Sequence, residues 1–107
     1  MLSWMYLIFA ILFEVAGTTA MKFSEGFTKT VPSVLMAVFY ILSLTALTFA
    51  LKKFEVGTAY AIWSGIGTAL IAVIGYYFFH ESMSTFKILS ILLIITGVIG
   101  LHLSTQA

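Results

Sequence analysis

The chain has 107 residues, of which 62% are hydrophobic and only 8% are charged, and its mean hydropathy is +1.14. Soluble domains carry about 25% charged residues, so this composition excludes a soluble protein. A formal net charge of +1 is too small to indicate nucleic-acid binding, and a chain without cysteine has neither disulfides nor thiolate metal sites. We therefore predict a membrane protein that needs no cofactor.

Three short polar segments divide the sequence into four apolar blocks, each close to the roughly 20 residues that a helix needs to cross a bilayer. The blocks lack the alternation of a membrane β-barrel, so we predict an all-α fold in one transmembrane domain. The predicted spans cover residues 2–21, 32–51, 57–79 and 84–103. Gly26 is expected to end the first helix, Pro32 suits the first turn of the second, and Ser82 or Ser84 is expected to cap the fourth.

The first block carries one charged residue in its interior, Glu14, in the segment IFAILFEVAGTTAM. This glutamate and the lack of a preceding basic segment favour a retained span over a signal peptide. Counting from Trp4 to Lys22 places Glu14 about 15 Å into the span, near the bilayer centre. An ionised group there costs at least about 2.5 kcal/mol, and no span contains a lysine or arginine in its interior. We therefore interpret Glu14 as an ion or proton site that faces a cavity.

Residues at helical spacing from Glu14 share its face of the first span. They are Leu7, Ala10, Ile11, Gly17 and Thr18. Three of these five are small, which predicts space beside the carboxylate, although small residues also serve helix packing. In the second span Tyr40 and Ser43 lie three residues apart near the middle, and we predict that they line the same site.

The third span begins with the segment GTAYAIWSGIG, in which Tyr60 and Trp63 share one helical face. Trp63 lies deeper than the interfacial belt in which tryptophans concentrate, which favours a position at a cavity. Gly65 and Gly67 follow at mid-span and are expected to permit a kink. A buried acid together with aromatic rings predicts a binding site for an organic cation.

The central segment of the fourth span, SILLIITGVIGL, contains no titratable group. Ser90 and Gly97 lie seven residues apart, and Thr96 and Gly100 four apart, a spacing that lets helices approach closely. We predict that this span packs against a second copy. The two histidines lie at span ends, away from Glu14, so we predict no metal site.

The distribution of lysines gives little preference for one orientation in the membrane. A four-span topology places Lys22, Lys29 and Lys87 on one side and Lys52 and Lys53 on the other. Lysine and arginine asymmetry normally fixes orientation, and three against two is a weak bias. We therefore predict that copies insert both ways and pair as an antiparallel dimer, which would also help to enclose a cavity.

The segments EVAGTTAMKFSEGFTKTVPS and GTAYAIWSGIG resemble two recognisable stretches of the small multidrug resistance (SMR) transporters, and the resemblance covers essentially the whole chain. It implies a proton-coupled exporter of the bacterial cytoplasmic membrane, in contact with lipid, that works by alternating access as an antiparallel homodimer. Protons and substrate would compete for Glu14. Tyr60 and Trp63 match substrate-site positions, and Gly65 with Gly67 matches the kink of the third helix.

The resemblance extends to subtype. Guanidinium exporters of this family typically carry tryptophan at the position of Gly17, so the Gly-Thr pair here favours the multidrug subtype and export of lipophilic, aromatic or quaternary ammonium cations. Tyr40 matches a multidrug position, and Trp4 stands where that subtype commonly has tyrosine and is assigned to the substrate site. Leu44 replaces an aromatic residue, and Ser90 a glycine, of the multidrug pattern.

The sequence is also compatible with several alternatives. The substrate could be a small cation or osmolyte such as guanidinium, choline or betaine, and the partner could be a paralogue. A non-transporting subunit of a larger membrane complex is a further alternative. An enzyme is not predicted, because the sequence has no nucleophile and base at a recognisable spacing.

Overall fold

In a computed structural model, which describes residues 2–106 and the side chains of residues 2–104, the chain is all-α. Its helices are α1 (Leu2–Phe23), α2 (Thr30–Ala50), α3 (Val56–Phe78) and α4 (Thr85–Gln106). All four are long and apolar enough to cross a membrane. The predicted all-α membrane fold is confirmed, with helix ends that differ by at most three residues from the predicted spans. One difference is that α2 begins before Pro32, which is tolerated in a first helical turn.

The helices form two compact units, one ending at Phe54 and the other beginning at Glu55. Each unit consists of two consecutive helices in contact, α1 with α2 and α3 with α4. In the first unit, Trp4 packs edge-on against Phe54, and Phe13 stacks with Phe39 further along. As the contacts advance along α1 they retreat toward the start of α2, so the two helices are antiparallel.

The connection between α1 and α2 is a tight turn organised by Ser24, which is only 1% exposed. The Ser24 hydroxyl donates to the Met21 carbonyl at 2.7 Å and accepts the Phe27 amide at 3.2 Å. Glu25, Gly26 and Phe27 all have positive φ, which is 72° at Gly26. Three left-handed residues in succession reverse the chain, and the glycine meets this demand without a side-chain penalty.

The connection between α3 and α4 turns at His80, whose φ is 58°. The Ser84 hydroxyl then accepts the Lys87 amide at 3.1 Å, so Ser84 caps the first turn of α4. Ser82 has a different role, since its carbonyl accepts the Lys87 ammonium at 3.0 Å.

α3 and α4 approach each other closely at Gly65. A Cβ atom there would lie 2.6 Å from Val98 Cγ2 and 3.2 Å from Ile94 Cγ2. Val98 is the buried hydrophobic residue of α4 among the described side chains, and most of this helix is exposed. A helix of this apolarity with so little burial needs lipid or another protein surface around it.

Candidate functional site

Glu14 is half-buried, and its carboxylate is held from within its own helix. The Thr18 hydroxyl, one turn further along α1, donates to Glu14 Oε1 at 2.8 Å. No hydrogen bond joins Oε2 to any of the described residues. One carboxylate oxygen is therefore oriented by the protein, and the other has the capacity to bind a proton or a cationic donor.

A second helix extends this hydrogen bonding. The Tyr40 hydroxyl of α2 lies 2.6 Å from Thr18 Oγ1. A threonine hydroxyl has only one hydrogen, so while it donates to Glu14 it must accept the hydrogen of Tyr40. The order of donation with an ionised carboxylate is therefore Tyr40 to Thr18 to Glu14. Tyr40 is also the one titratable side chain in the sequence of α2.

The Tyr40 ring occupies the space that Gly17 leaves. A Cβ atom at position 17 would lie 3.0 Å from Tyr40 Cδ1, 3.1 Å from Tyr40 Cε1 and 3.4 Å from Phe39 Cβ. The missing side chain thus serves the packing of α1 against α2. The role of Gly17 toward a substrate stays a prediction.

Ser43 also joins α2 to the helix turn that carries Glu14. It is fully buried and donates to the Ala10 carbonyl at 2.6 Å. This is the carbonyl to which α-helical geometry directs the Glu14 amide. The hydroxyl predicted to line the substrate site is therefore engaged in a contact between helices, and its role toward a substrate stays a prediction.

The other α1 residues of the predicted site divide by exposure. Leu7 and Ala10 are fully buried, and Ile11 is nearly so. Trp4 is exposed and packs against Phe54, ten residues and about 15 Å along the helix from Glu14. Among these residues, Ala10 lies one helical turn before Glu14, and its carbonyl is the acceptor of the Glu14 amide in α-helical geometry. Trp4 lies at the end of the helix.

The second unit contains an aromatic pair on α3. The rings of Tyr60 and Trp63 meet edge to face with centroids 5.4 Å apart. Tyr60 is 59% exposed, and Trp63 Nε1 is buried without a hydrogen-bond partner among the described residues. Exposed ring surface and an unused N–H donor are features that a ligand could use.

The predicted hinge and dimer residues also lie in this unit. Gly65 and Gly67 are buried within a helix that runs unbroken from Val56 to Phe78. On α4, the Ser90 hydroxyl donates to the Phe86 carbonyl at 2.8 Å. A Cβ atom placed at Gly97 would have no neighbouring atom of the described residues within 4 Å. The hinge role and the dimer role both stay predictions.

Comparison with known proteins identifies the family. The family model described as Small Multidrug Resistance protein matches residues 2–94. The chain belongs to the SMR family. It is therefore a transporter rather than an enzyme, and a multi-pass protein of the bacterial cytoplasmic membrane.

Relatives of this SMR protein span nearly its full length. It is 54% identical to the uncharacterized membrane protein YvaE of Bacillus subtilis over 102 residues, which are 95% of this chain and 86% of the relative. It is 41% identical over 105 residues to proteins named guanidinium exporter from Citrobacter freundii and from Klebsiella oxytoca. In both cases the alignment covers 98% of this chain and 100% of the relative.

Two contacts of this SMR site were not predicted from the sequence. The spacing of four residues indicated that Thr18 lies beside Glu14, but the bond from Tyr40 to Thr18 spans 22 residues. The packing of Tyr40 on Gly17 is likewise a contact between helices. Helical spacing indicates which residues share a face within one helix, and it does not give the rotation of one helix against another.

Proposed function

We propose that this SMR protein exports an organic cation in exchange for protons, and that proton and cation compete for Glu14. The observation that carries the proposal is the carboxylate itself. It lies in the middle of an apolar span, its Oε1 is oriented by Thr18, and its Oε2 is unbonded by the described residues. A cation neutralises the carboxylate on one side of the membrane and a proton does so on the other, so alternating access would couple the two gradients.

The substrate class supported best is a small planar cation of the guanidinium type. Relatives that align over 98% of the chain are named guanidinium exporter. A guanidinium ion presents parallel N–H donors that match a carboxylate in a two-point hydrogen bond. The space beside Gly17 is filled by Tyr40, so this glycine does not by itself make room for a bulky cation. We therefore place guanidinium ahead of the quaternary ammonium cations that the subtype pattern favoured.

A lipophilic aromatic or quaternary ammonium cation is the second candidate. The edge-to-face pair of Tyr60 and Trp63 supports it, because Tyr60 exposes more than half of its surface. Aromatic faces attract cations without requiring one ligand shape, with about 0.5–1 kcal/mol per exposed contact. Such a surface suits a large delocalised cation better than the compact guanidinium ion.

The substrate assignment is tested with reconstituted protein in liposomes under an imposed proton gradient. The panel consists of guanidinium, tetraphenylphosphonium, choline and betaine, with Glu14→Gln as the matched control that keeps the size of the side chain and removes its charge. We expect proton-driven guanidinium transport by the parent protein and none by Glu14→Gln. Transport of tetraphenylphosphonium without guanidinium would move the assignment to the second candidate. Proton-driven transport that survives in Glu14→Gln would overturn the coupling role.

We further propose that the functional unit is an antiparallel homodimer. The support is the near balance of lysines across the membrane, three against two, together with the exposed surface of α4. The absence of cysteine makes a direct test simple. Glu55→Cys and Ser82→Cys place single thiols in connections on opposite sides of any one copy.

A membrane-impermeant thiol reagent added to intact cells should label about half of each of these single-cysteine proteins, because copies of both orientations are present. Neither change removes a lysine, so the charge bias that governs orientation is preserved. Complete labelling of one variant with none of the other would show a single orientation and refute the antiparallel dimer.

A further inference from the structure

Helix α2 holds the turn of α1 that carries Glu14 at two points. Ser43 donates to the Ala10 carbonyl, four residues before Glu14, and Tyr40 bonds the Thr18 hydroxyl, four residues after it. Both distances are 2.6 Å. Ser43 and Tyr40 lie three residues apart, so one turn of α2 makes both contacts.

The two contacts differ in how they depend on the charge of Glu14. Ser43 donates to a backbone carbonyl, which can only accept, so the direction of this bond is fixed. The contact between Thr18 and Tyr40 joins two hydroxyls, either of which can donate. Its direction is therefore set by what Thr18 does toward Glu14.

We propose that Tyr40 is a positioning residue that responds to the protonation of Glu14 through Thr18. When Glu14 is ionised, Tyr40 donates to Thr18 and Thr18 donates to Oε1. When a proton from the medium binds the free carboxylate oxygen and the carboxyl group turns its O–H toward Thr18, this O–H donates to Thr18, Thr18 donates to the Tyr40 oxygen, and the Tyr40 hydrogen turns to another acceptor. Each hydroxyl keeps its own hydrogen, and only the added proton is new.

This reversal would carry a change of charge on α1 into a change of hydrogen bonding on α2. Tyr40 is the side chain of α2 whose hydroxyl lies within hydrogen-bond distance of Thr18. α2 has no other titratable side chain, and those nearest along α1, Tyr6 and Lys22, are each eight residues from Glu14, or about 12 Å. The proposal rests on the proposed function in one respect, namely that Glu14 binds and releases protons.

The test is a pH titration of the full-length protein in bicelles, followed by carbon-13 NMR of Glu14 Cδ and Tyr40 Cζ. In the parent protein both signals should change with one common midpoint. Thr18→Ser keeps the hydroxyl and should keep the common midpoint. Thr18→Val has nearly the shape of threonine without the hydroxyl, and Tyr40 should lose its response while Glu14 still titrates.

Ser43→Ala is the matched control, because it removes the contact of fixed direction from the same turn of α2. The Tyr40 response should survive in this variant. A Tyr40 signal that is flat in the parent protein while Glu14 titrates would overturn the proposal, and so would a response that persists in Thr18→Val. If Thr18→Val does not fold, Thr18→Ala carries the same prediction.

The titration tests the relay, and the transport assay tests the proposed function, so the two proposals can be refuted independently. If Glu14→Gln retained proton-driven export, the proposed function would be lost, yet a common midpoint for Glu14 and Tyr40 would still support the relay. If export depended on Glu14 and Tyr40 did not respond to it, only the relay would be lost.

Discussion

The contact between Gly17 and Tyr40 makes a quantitative prediction for Gly17→Ala. Replacing glycine by alanine in a helix interior normally stabilises the helix by about 1 kcal/mol. Here the new methyl group would lie 3.0 Å from Tyr40 Cδ1 and 3.1 Å from Tyr40 Cε1, closer than carbon atoms ordinarily pack. Such overpacking costs about 1–3 kcal/mol.

The Tyr40 ring cannot move away without lengthening its 2.6 Å hydrogen bond to Thr18, which adds about 0.5–1.5 kcal/mol. The balance is a net loss of about 0.5–3.5 kcal/mol in the free energy of unfolding. Gly57→Ala is the matched control, because nothing lies within 4 Å of a Cβ at that position, and it should leave stability unchanged or slightly raised.

The assay is equilibrium unfolding of both variants in mixed micelles of increasing sodium dodecyl sulfate content, followed by circular dichroism. A Tyr40→Ala background removes the ring, so Gly17→Ala should cost little there, and the double-mutant cycle isolates the contact. Equal or higher stability of Gly17→Ala in the parent background would refute the packing argument. So would an undiminished loss in the Tyr40→Ala background.

Three further predictions follow from local contacts. Gly65→Ala should lower the free energy of unfolding by about 1–2 kcal/mol in the same assay, because Cγ2 of the β-branched Val98 lies 2.6 Å from the new methyl group. Val98→Ala should relieve this loss. A loss of the same size in the Val98→Ala background would contradict the prediction. The Lys29 ammonium lies 2.7 Å from the Glu25 carboxylate, and its hydrogen bond and charge hold the pKa of Glu25 below its ordinary value. The stabilisation by this pair is therefore present at pH values above the pKa of Glu25 in the unfolded chain. It is lost as the pH falls through the lower pKa of Glu25 in the folded protein. In an NMR titration Lys29→Gln should raise the Glu25 midpoint, and an unchanged midpoint would exclude the pair as its cause. Ser84→Ala should destabilise the start of α4 by about 1 kcal/mol, measured by hydrogen exchange of the Lys87 amide. Ser82→Ala should leave this exchange unchanged, because the Ser82 contact to Lys87 is made by its backbone carbonyl. Equal effects of the two changes would contradict the assignment of Ser84 as the cap.

The helices could be predicted from the sequence because lipid leaves few choices. A block of about 20 apolar residues must satisfy its backbone internally, so length and composition alone located all four helices. The neighbours of Glu14 within α1 also followed from helical spacing, as the bond from Thr18 illustrates.

Contacts between helices could not be predicted in the same way. Helical spacing indicated that Gly17 is a small residue beside Glu14, but it could not show that Tyr40, 23 residues later, packs against this glycine. The choice between Ser82 and Ser84 as the cap was also open, since both precede α4 and only the backbone path after His80 distinguishes them. The contact between Gly17 and Tyr40 depends on how α1 packs against α2, and the cap depends on the backbone path before α4. Neither is encoded in the spacing of residues within one helix.

The most direct test of the exchange of protons for a cation at Glu14 is proton release on substrate binding. Purified protein in weakly buffered detergent solution is given guanidinium, and the pH change is recorded with a sensitive dye. The parent protein should release protons in proportion to the cation bound, whereas Glu14→Gln, checked for native helix content, should release none. Guanidinium binding by the parent protein without proton release, or equal release by Glu14→Gln, would contradict the proposed exchange.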